Sequence, residues 1–186
     1  MQRLTHIAGM RGTGKTTILT SSSPEVIPIE AENLQGMAIE SATGIQSTRK
    51  YSWEIWDTDL RAKASDLLLS AMRSKRPRLI NNGKPILVAG SLLVKDWFRE
   101  AFEIALSSHF SSTLYDIEHY VLHPDVKTIS KQIQNRGRAA EQHYIGNLPL
   151  IQKGRDGYWE MAKKSCRTWK KIRCQQELNN MINRRT

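Results

Sequence analysis

The sequence predicts an α/β fold, a three-layer sandwich with helices on both faces of a central parallel sheet. Three observations predict it. Strand-like and helix-like segments alternate along the chain, the clearest strand is a short apolar run of the kind buried on both faces, and a glycine-rich loop separates the first strand from the first helix. At 186 residues the chain fits one globular domain, taken as 1–186, with enough length to close a core around a sheet.

The elements follow in order. Residues 3–8 read as a first strand ending at Gly9, and residues 16–20 can open a helix after the loop. A turn cluster at 21–24 precedes a second strand within 25–32, whose end is acidic. Residues 34–50, with two glycines and several Ser and Thr, read as loop with some helix. Trp53, Trp56, Leu60, Ala64, Leu67, Leu68, Ala71 and Met72 recur at helical spacing, which predicts one amphipathic helix over 53–75, stopping near Pro77. After an Asn82-Gly83 turn, residues 85–94 form a buried strand that runs into a helix through Trp97, Phe98, Phe102 and Ile104. Residues 115–122 give another strand, and residues 125–134 a helix with Val126, Ile129 and Ile133 on one face. The basic stretch at about 157–184 is taken as a C-terminal helix.

Composition narrows the function classes. The longest apolar run, residues 85–94, is too short to span a bilayer, so no membrane partner is expected. The N-terminus moves straight into the first strand, leaving no room for a cleavable leader, and the expected location is cytoplasmic. The only two cysteines, Cys166 and Cys174, have neither C-x-x-C spacing nor a histidine partner, so they are read as reduced thiols. His119 and His123 fall on or beside a strand, where four-residue spacing does not pair them. The net charge of +10 is uneven: residues 1–124 hold 14 Lys/Arg against 13 Asp/Glu, residues 125–186 hold 14 against 5. Such a one-sided excess marks either a polyanionic partner or a solvated helix face.

Gly9, Gly14, Lys15 and Thr16 satisfy G-x-x-x-x-G-K-[ST] directly after a strand and before a helix, and Gly12 adds a third glycine. Glycines let successive backbone N–H groups converge on one anion, Lys15 offers a compact charge to β- and γ-phosphates, and the Thr16 hydroxyl suits Mg²⁺. Gly9, Gly12, Thr13, Gly14, Lys15, Thr16 and Thr17 are therefore the expected nucleotide-phosphate contacts, with Thr16 the metal ligand, and the fold becomes a P-loop NTPase fold using ATP and Mg²⁺.

A second signal lies in residues 120–142, where a strand ends at Pro124-Asp125, a helix follows, and the chain reads Arg136-Gly137-Arg138-Ala139-Ala140-Glu141-Gln142. This resembles the thymidylate kinase and deoxynucleoside kinase family of P-loop kinases, in which a similar stretch forms a lid over the ATP phosphates; the lid here is about 136–147. The resemblance implies that Arg136 and Arg138 meet the charge that builds on the transferring phosphoryl group. It implies an acid after the second strand that accepts or orients the acceptor proton, which is Glu30, with Glu32 two residues on as its rival. It places Arg73 beside an acceptor nucleotide and makes residues 148–159 the helix after the lid. One departure stands out: where the family shows an acid-arginine pair after the third strand, this chain has Ala89-Gly90-Ser91. Asp57 and Asp59 are the nearest candidates to compensate.

That departure, the small residues in its place and the basic final third together suggest a larger acceptor. A viral branch of the family phosphorylates 5-hydroxymethyluracil already in phage DNA, and the chain is similar to what such an enzyme requires. On that reading DNA is the partner, Trp53 or Trp56 stacks on a flipped base, and a viral source would mean the host cytoplasm. Free pyrimidine deoxynucleosides or deoxynucleotides are the conventional alternative, a DNA-binding ATPase switch is another class, and a homodimer is left open.

Overall fold

The computed structural model describes residues 2–44, 55–75, 83–111, 115–174, 176–178 and 180. Strand β1 (Gln2–Ala8) leads into the glycine loop and then α1 (Lys15–Thr20). β2 (Ile27–Glu30) passes without a break into α2 (Ala31–Thr43). Two helices follow, α3 (Thr58–Ala62) and α4 (Ala64–Ser74), then β3 (Ile86–Ala89), a 3-10 turn at Ser91–Val94 and α5 (Asp96–Phe110). β4 (Tyr115–Leu122), α6 (Val126–Arg136), a 3-10 turn at Ala139–Tyr144, α7 (Leu148–Lys164) and β5 (Trp169–Ile172) complete the described order.

The five strands form one parallel sheet in the order β2-β3-β1-β4-β5. β1 is central, and its residues 4–8 are buried, as expected of a parallel strand covered on both faces. One face carries Leu4, Ala8 and Val88 against α2, α4 and α5 through Leu34, Leu68, Phe98 and Phe102. The other carries Ile7, Leu87, Ala89, Tyr120 and Leu122 against Ile18 and Leu19 of α1 and against Leu178. A third, smaller cluster of Met10, Ile129, Ile133 and Ile151 fastens α6 and α7 to the loop itself. The predicted three-layer α/β/α architecture is what the chain adopts.

Several elements differ from what the sequence predicts. The loop expected over 34–50 is largely the helix α2, whose buried Leu34, Ala38 and Ile39 recur at helical spacing among small and polar residues that weaken the pattern. The single helix expected over 53–75 is two, with Asp57 capping α3 by accepting from Leu60 N at 2.9 Å and a break at Lys63. The basic C-terminal helix expected over 157–184 ends at Lys164, and the chain turns to form the edge strand β5. That strand puts Trp169 and Ile172 inward and leaves Lys170 and Lys171 exposed, the charged rim that keeps a sheet edge from pairing further. Cys166 and Cys174 accordingly flank a strand, both exposed and both free. Trp53, Pro77, Asn82, Arg184 and Arg185 lie outside the described residues.

Candidate functional site

Because the described strands are all parallel, Gly9, the end of β2 at Glu30 and the end of β3 at Ala89 share one end of the sheet, where ligands of open α/β sheets sit. Gly12 shows why the loop is built of glycine. Its φ is +80°, and a Cβ there would stand 2.6 Å from Ile133 Cγ1 of α6, so only a bare backbone lets α6 close over the loop. Thr13 Oγ1 donates to Met10 O at 2.9 Å and locks the turn, while Met10 is seated in the third cluster.

Lys15 is buried, and its ammonium donates to the carbonyls of Gly9 (2.7 Å) and Met10 (3.0 Å). Glu32 Oε1 lies 3.8 Å away. Burial lowers the Lys15 pKa, Glu32 opposes that shift, and the neighbouring charges of Arg136 and Arg11 add to it. Arg136, in the last turn of α6, is thus close enough to the loop for its charge to be felt there. Arg138 is exposed, 4.0 Å from the buried Glu141.

The two acids after β2 divide. Thr16 Oγ1 donates to Glu30 Oε1 at 3.4 Å, and Asn33 Nδ2 donates to Glu30 Oε2 at 2.6 Å. Glu32 instead takes two hydrogen bonds from Ser91, N–H at 2.8 Å and Oγ at 2.5 Å. Gly90 permits this meeting: a Cβ on it would come 2.7 Å from the Cβ of Ala31, so β3 can approach the start of α2 only with glycine there. Glu32 therefore delivers to the end of β3 the carboxylate that the local sequence lacks. Tyr158 of α7 hydrogen-bonds Ser91 as well; burial raises its phenol to about 12, and the nearby Glu32 and Tyr144 push the same way.

Thr16 Oγ1 beside a carboxylate is a hard-oxygen pair, and the glycine loop with Lys15 is a cradle for phosphates, so the residues present fit Mg-ATP. Trp56 does not fit its expected role. It is 1% exposed, with ring centroids 5.5 Å from Trp97 and 6.2 Å from Phe98, so it is a core residue with no face to offer a base. Arg73 lies in the last turn of α4, about 14 Å along the helix axis from its first residue, Ala64. Asp57 is occupied as a helix cap. Sequence reasoning missed Arg11, Ser91 as the partner of Glu32, and Tyr158. Arg11 was discoverable as the one cation inside the loop besides Lys15.

Strand, phosphate loop, helix and parallel sheet together define a P-loop NTPase fold. No protein-family model and no curated protein matches the sequence. Among solved structures, the Deinococcus radiodurans tunicamycin resistance protein superposes with a TM-score of 0.53 at 13% identity, over 98% of this chain and 93% of that one. Shikimate kinase from Acinetobacter baumannii in complex with shikimate gives 0.49 at 16% identity, over 100% and 96%. At such identities the likeness concerns the fold.

Proposed function

We propose that the chain is a phosphotransferase that moves the γ-phosphate of Mg-ATP onto an alcohol. The observation that carries this reading is the division of labour between Glu30, on the Thr16 hydroxyl, and Glu32, on Lys15 and Ser91. Glu30 and Thr16 would hold Mg²⁺, which supplies neutralising charge between phosphate oxygens. Lys15 and the loop N–H groups bind the β- and γ-phosphates. Glu32, reaching past Lys15, takes the proton from the acceptor hydroxyl; the oxygen then bonds to the γ-phosphorus as the bond to ADP breaks, and Arg136 and Arg11 offset the charge that develops. Glu32 thus replaces Glu30 as the preferred base.

For the acceptor we carry forward the 5-hydroxymethyl group of 5-hydroxymethyluracil in DNA, on the strength of the basic final third. A second reading, a free pyrimidine deoxynucleoside or deoxynucleotide, gains from two observations. Trp56 is sealed in the core, and several of the basic residues are engaged within the molecule, with Lys163 on Glu160 at 2.7 Å, Lys170 on Glu118 at 3.2 Å and Lys171 over the Trp159 ring at 4.6 Å.

The test supplies γ-labelled ATP with 5-hydroxymethyluracil DNA, thymine DNA and free pyrimidine deoxynucleosides and deoxynucleotides. Label in the first alone supports the DNA reading, and label in the free pool alone removes it. ATP turnover with no labelled acceptor in any arm removes phosphotransfer to this class. Lys15→Ala should abolish transfer in whichever arm is active, and near-normal activity would refute the phosphate-loop role.

A further inference from the structure

Beneath α5, on the face of the sheet away from α1, three side chains meet that phosphotransfer does not use. The register pairs His6 of β1 with His119 of β4, and His119 in turn with Trp169 of β5, so the three form one cross-strand row. Glu103 of α5 caps that row. Its Oε1 lies 3.6 Å from His6 Nδ1 and 3.7 Å from His119 Nε2, and all three ligand atoms fall within 4.8 Å of one another. Yet the group is not hydrogen-bonded. His6 is fully buried with neither ring nitrogen hydrogen-bonded, and His119 Nε2 and Glu103 Oε1 are buried without a hydrogen bond too, although Arg99 Nε stands 3.6 Å from that Glu103 oxygen. A buried imidazole or carboxylate oxygen without a partner is costly, so three such atoms converging on one point call for a ligand.

We propose that His6 Nδ1, His119 Nε2 and Glu103 Oε1 form a site for one divalent transition-metal ion of the zinc type. Ligands at 2.0–2.2 Å in tetrahedral array stand roughly 3.3–3.6 Å apart, so the two separations from Glu103, 3.6 and 3.7 Å, need only a slight contraction, and the third, between the two imidazoles, lies within 4.8 Å and closes by a turn of the rings. Two imidazoles and one carboxylate are a zinc set, and the remaining position is left to water. Burial, with His119, Arg99 and Arg167 nearby, keeps His6 neutral, the form that ligates. The two guanidiniums do not forbid a cation. Arg99 lies 2.7 Å from Asp96, 3.9 Å from Glu100 and 3.6 Å from Glu103, and Arg167 lies 3.9 Å from the far oxygen of Glu103. Three carboxylates thus face two guanidiniums, leaving one negative charge, and Arg167 is placed to orient Glu103 from outside. The ion would join β1, β4 and α5 three residues before the phosphate loop begins.

The test starts from full-length protein stripped with a chelator and then titrated with Zn²⁺. One equivalent should survive gel filtration, Tm should rise with zinc, and X-ray absorption of the zinc-loaded protein should show two imidazole nitrogens and two oxygens, from Glu103 and water, with no sulfur. His119→Gln and Glu103→Gln should each weaken binding by more than the roughly 10- to 100-fold that loss of an outer-shell partner costs, while Cys166→Ser with Cys174→Ser leaves it unchanged. Retention of less than one equivalent, sulfur in the shell, or wild-type affinity in His119→Gln would overturn the site. Should either ligand variant fail to fold, the absorption spectrum of the wild type and the stoichiometry of the cysteine variant decide alone.

Discussion

Two glutamates separated by one residue have different neighbours, and the difference can be measured. Glu32→Gln keeps the Ser91 contacts available but removes the base, so kcat should fall roughly 10²- to 10⁴-fold with ATP affinity little changed. Glu30→Gln should instead raise the Mg²⁺ concentration needed for half-maximal rate, because it alters the oxygen beside Thr16. If both variants lost only metal affinity, the division between them would be wrong. At this scale the sequence was readable where a motif fixes the backbone, as at Gly9 and Lys15. It was ambiguous between Glu30 and Glu32, because what separates them is a contact with Ser91, in the turn after β3, 59 positions from Glu32. Trp56 misled for a related reason: helical spacing shows that it faces something, and only the Trp97 and Phe98 rings show that the something is core.

Between elements, close approach does the positioning. Gly90→Ala would drive its Cβ into that of Ala31, which is fixed to the first turn of α2 and cannot swing aside. The expected result is a loss of about 1–3 kcal/mol in chemical denaturation, the usual range for overpacking, together with reduced turnover as Ser91 separates from Glu32. Unchanged stability would mean that α2 can slide. A second joint ties α5 to the segment after α7: Asp96 accepts from Ser165 Oγ at 2.6 Å and from Cys166 N at 3.3 Å, and pairs with Arg99. Burial alone would raise Asp96, but these hydrogen bonds outweigh it and bring the pKa to about 2. A carboxylate depressed on folding stabilises above its unfolded pKa, so this joint should weaken as pH falls from about 4 to about 2. Asp96→Asn should flatten that part of the stability–pH curve, measured by denaturant unfolding, and a curve of unchanged shape would dismiss the joint. Strands with continuous apolar runs were visible in the sequence. β5 was not, because four residues with two lysines carry too little apolar signal, and its pairing with β4 is a tertiary fact.

For the molecule as a whole, net charge remains the feature that sequence and structure describe differently. The sequence shows where the cations are; the structure shows that Lys163, Lys170 and Arg167 each face a carboxylate. Reversing Lys170 would set a second acid beside Glu118, so the cleaner probes are Lys164→Glu and Lys171→Glu, the latter compared with Lys171→Gln because Lys171 also lies over the Trp159 ring. If DNA is the partner, the pair should reduce the slope of log affinity against log salt by about 0.9 for each phosphate no longer neutralised. An unchanged slope would place those charges among the solvated rim.

The position of β1 has a consequence for how the chain is made. Strand β1 is the middle of the sheet, yet it precedes both of the strands that flank it, which begin at Ile86 and Tyr115. Until β3 emerges it has no neighbour to hydrogen-bond, its other side stays open until β4 follows, and β5 can add to β4 only after that. The phosphate loop, attached to that strand, thus waits for β3 and β4, and a chain that lacks them would offer unpaired apolar edges to its surroundings. Early pauses in synthesis are therefore where this protein is most exposed to misassembly.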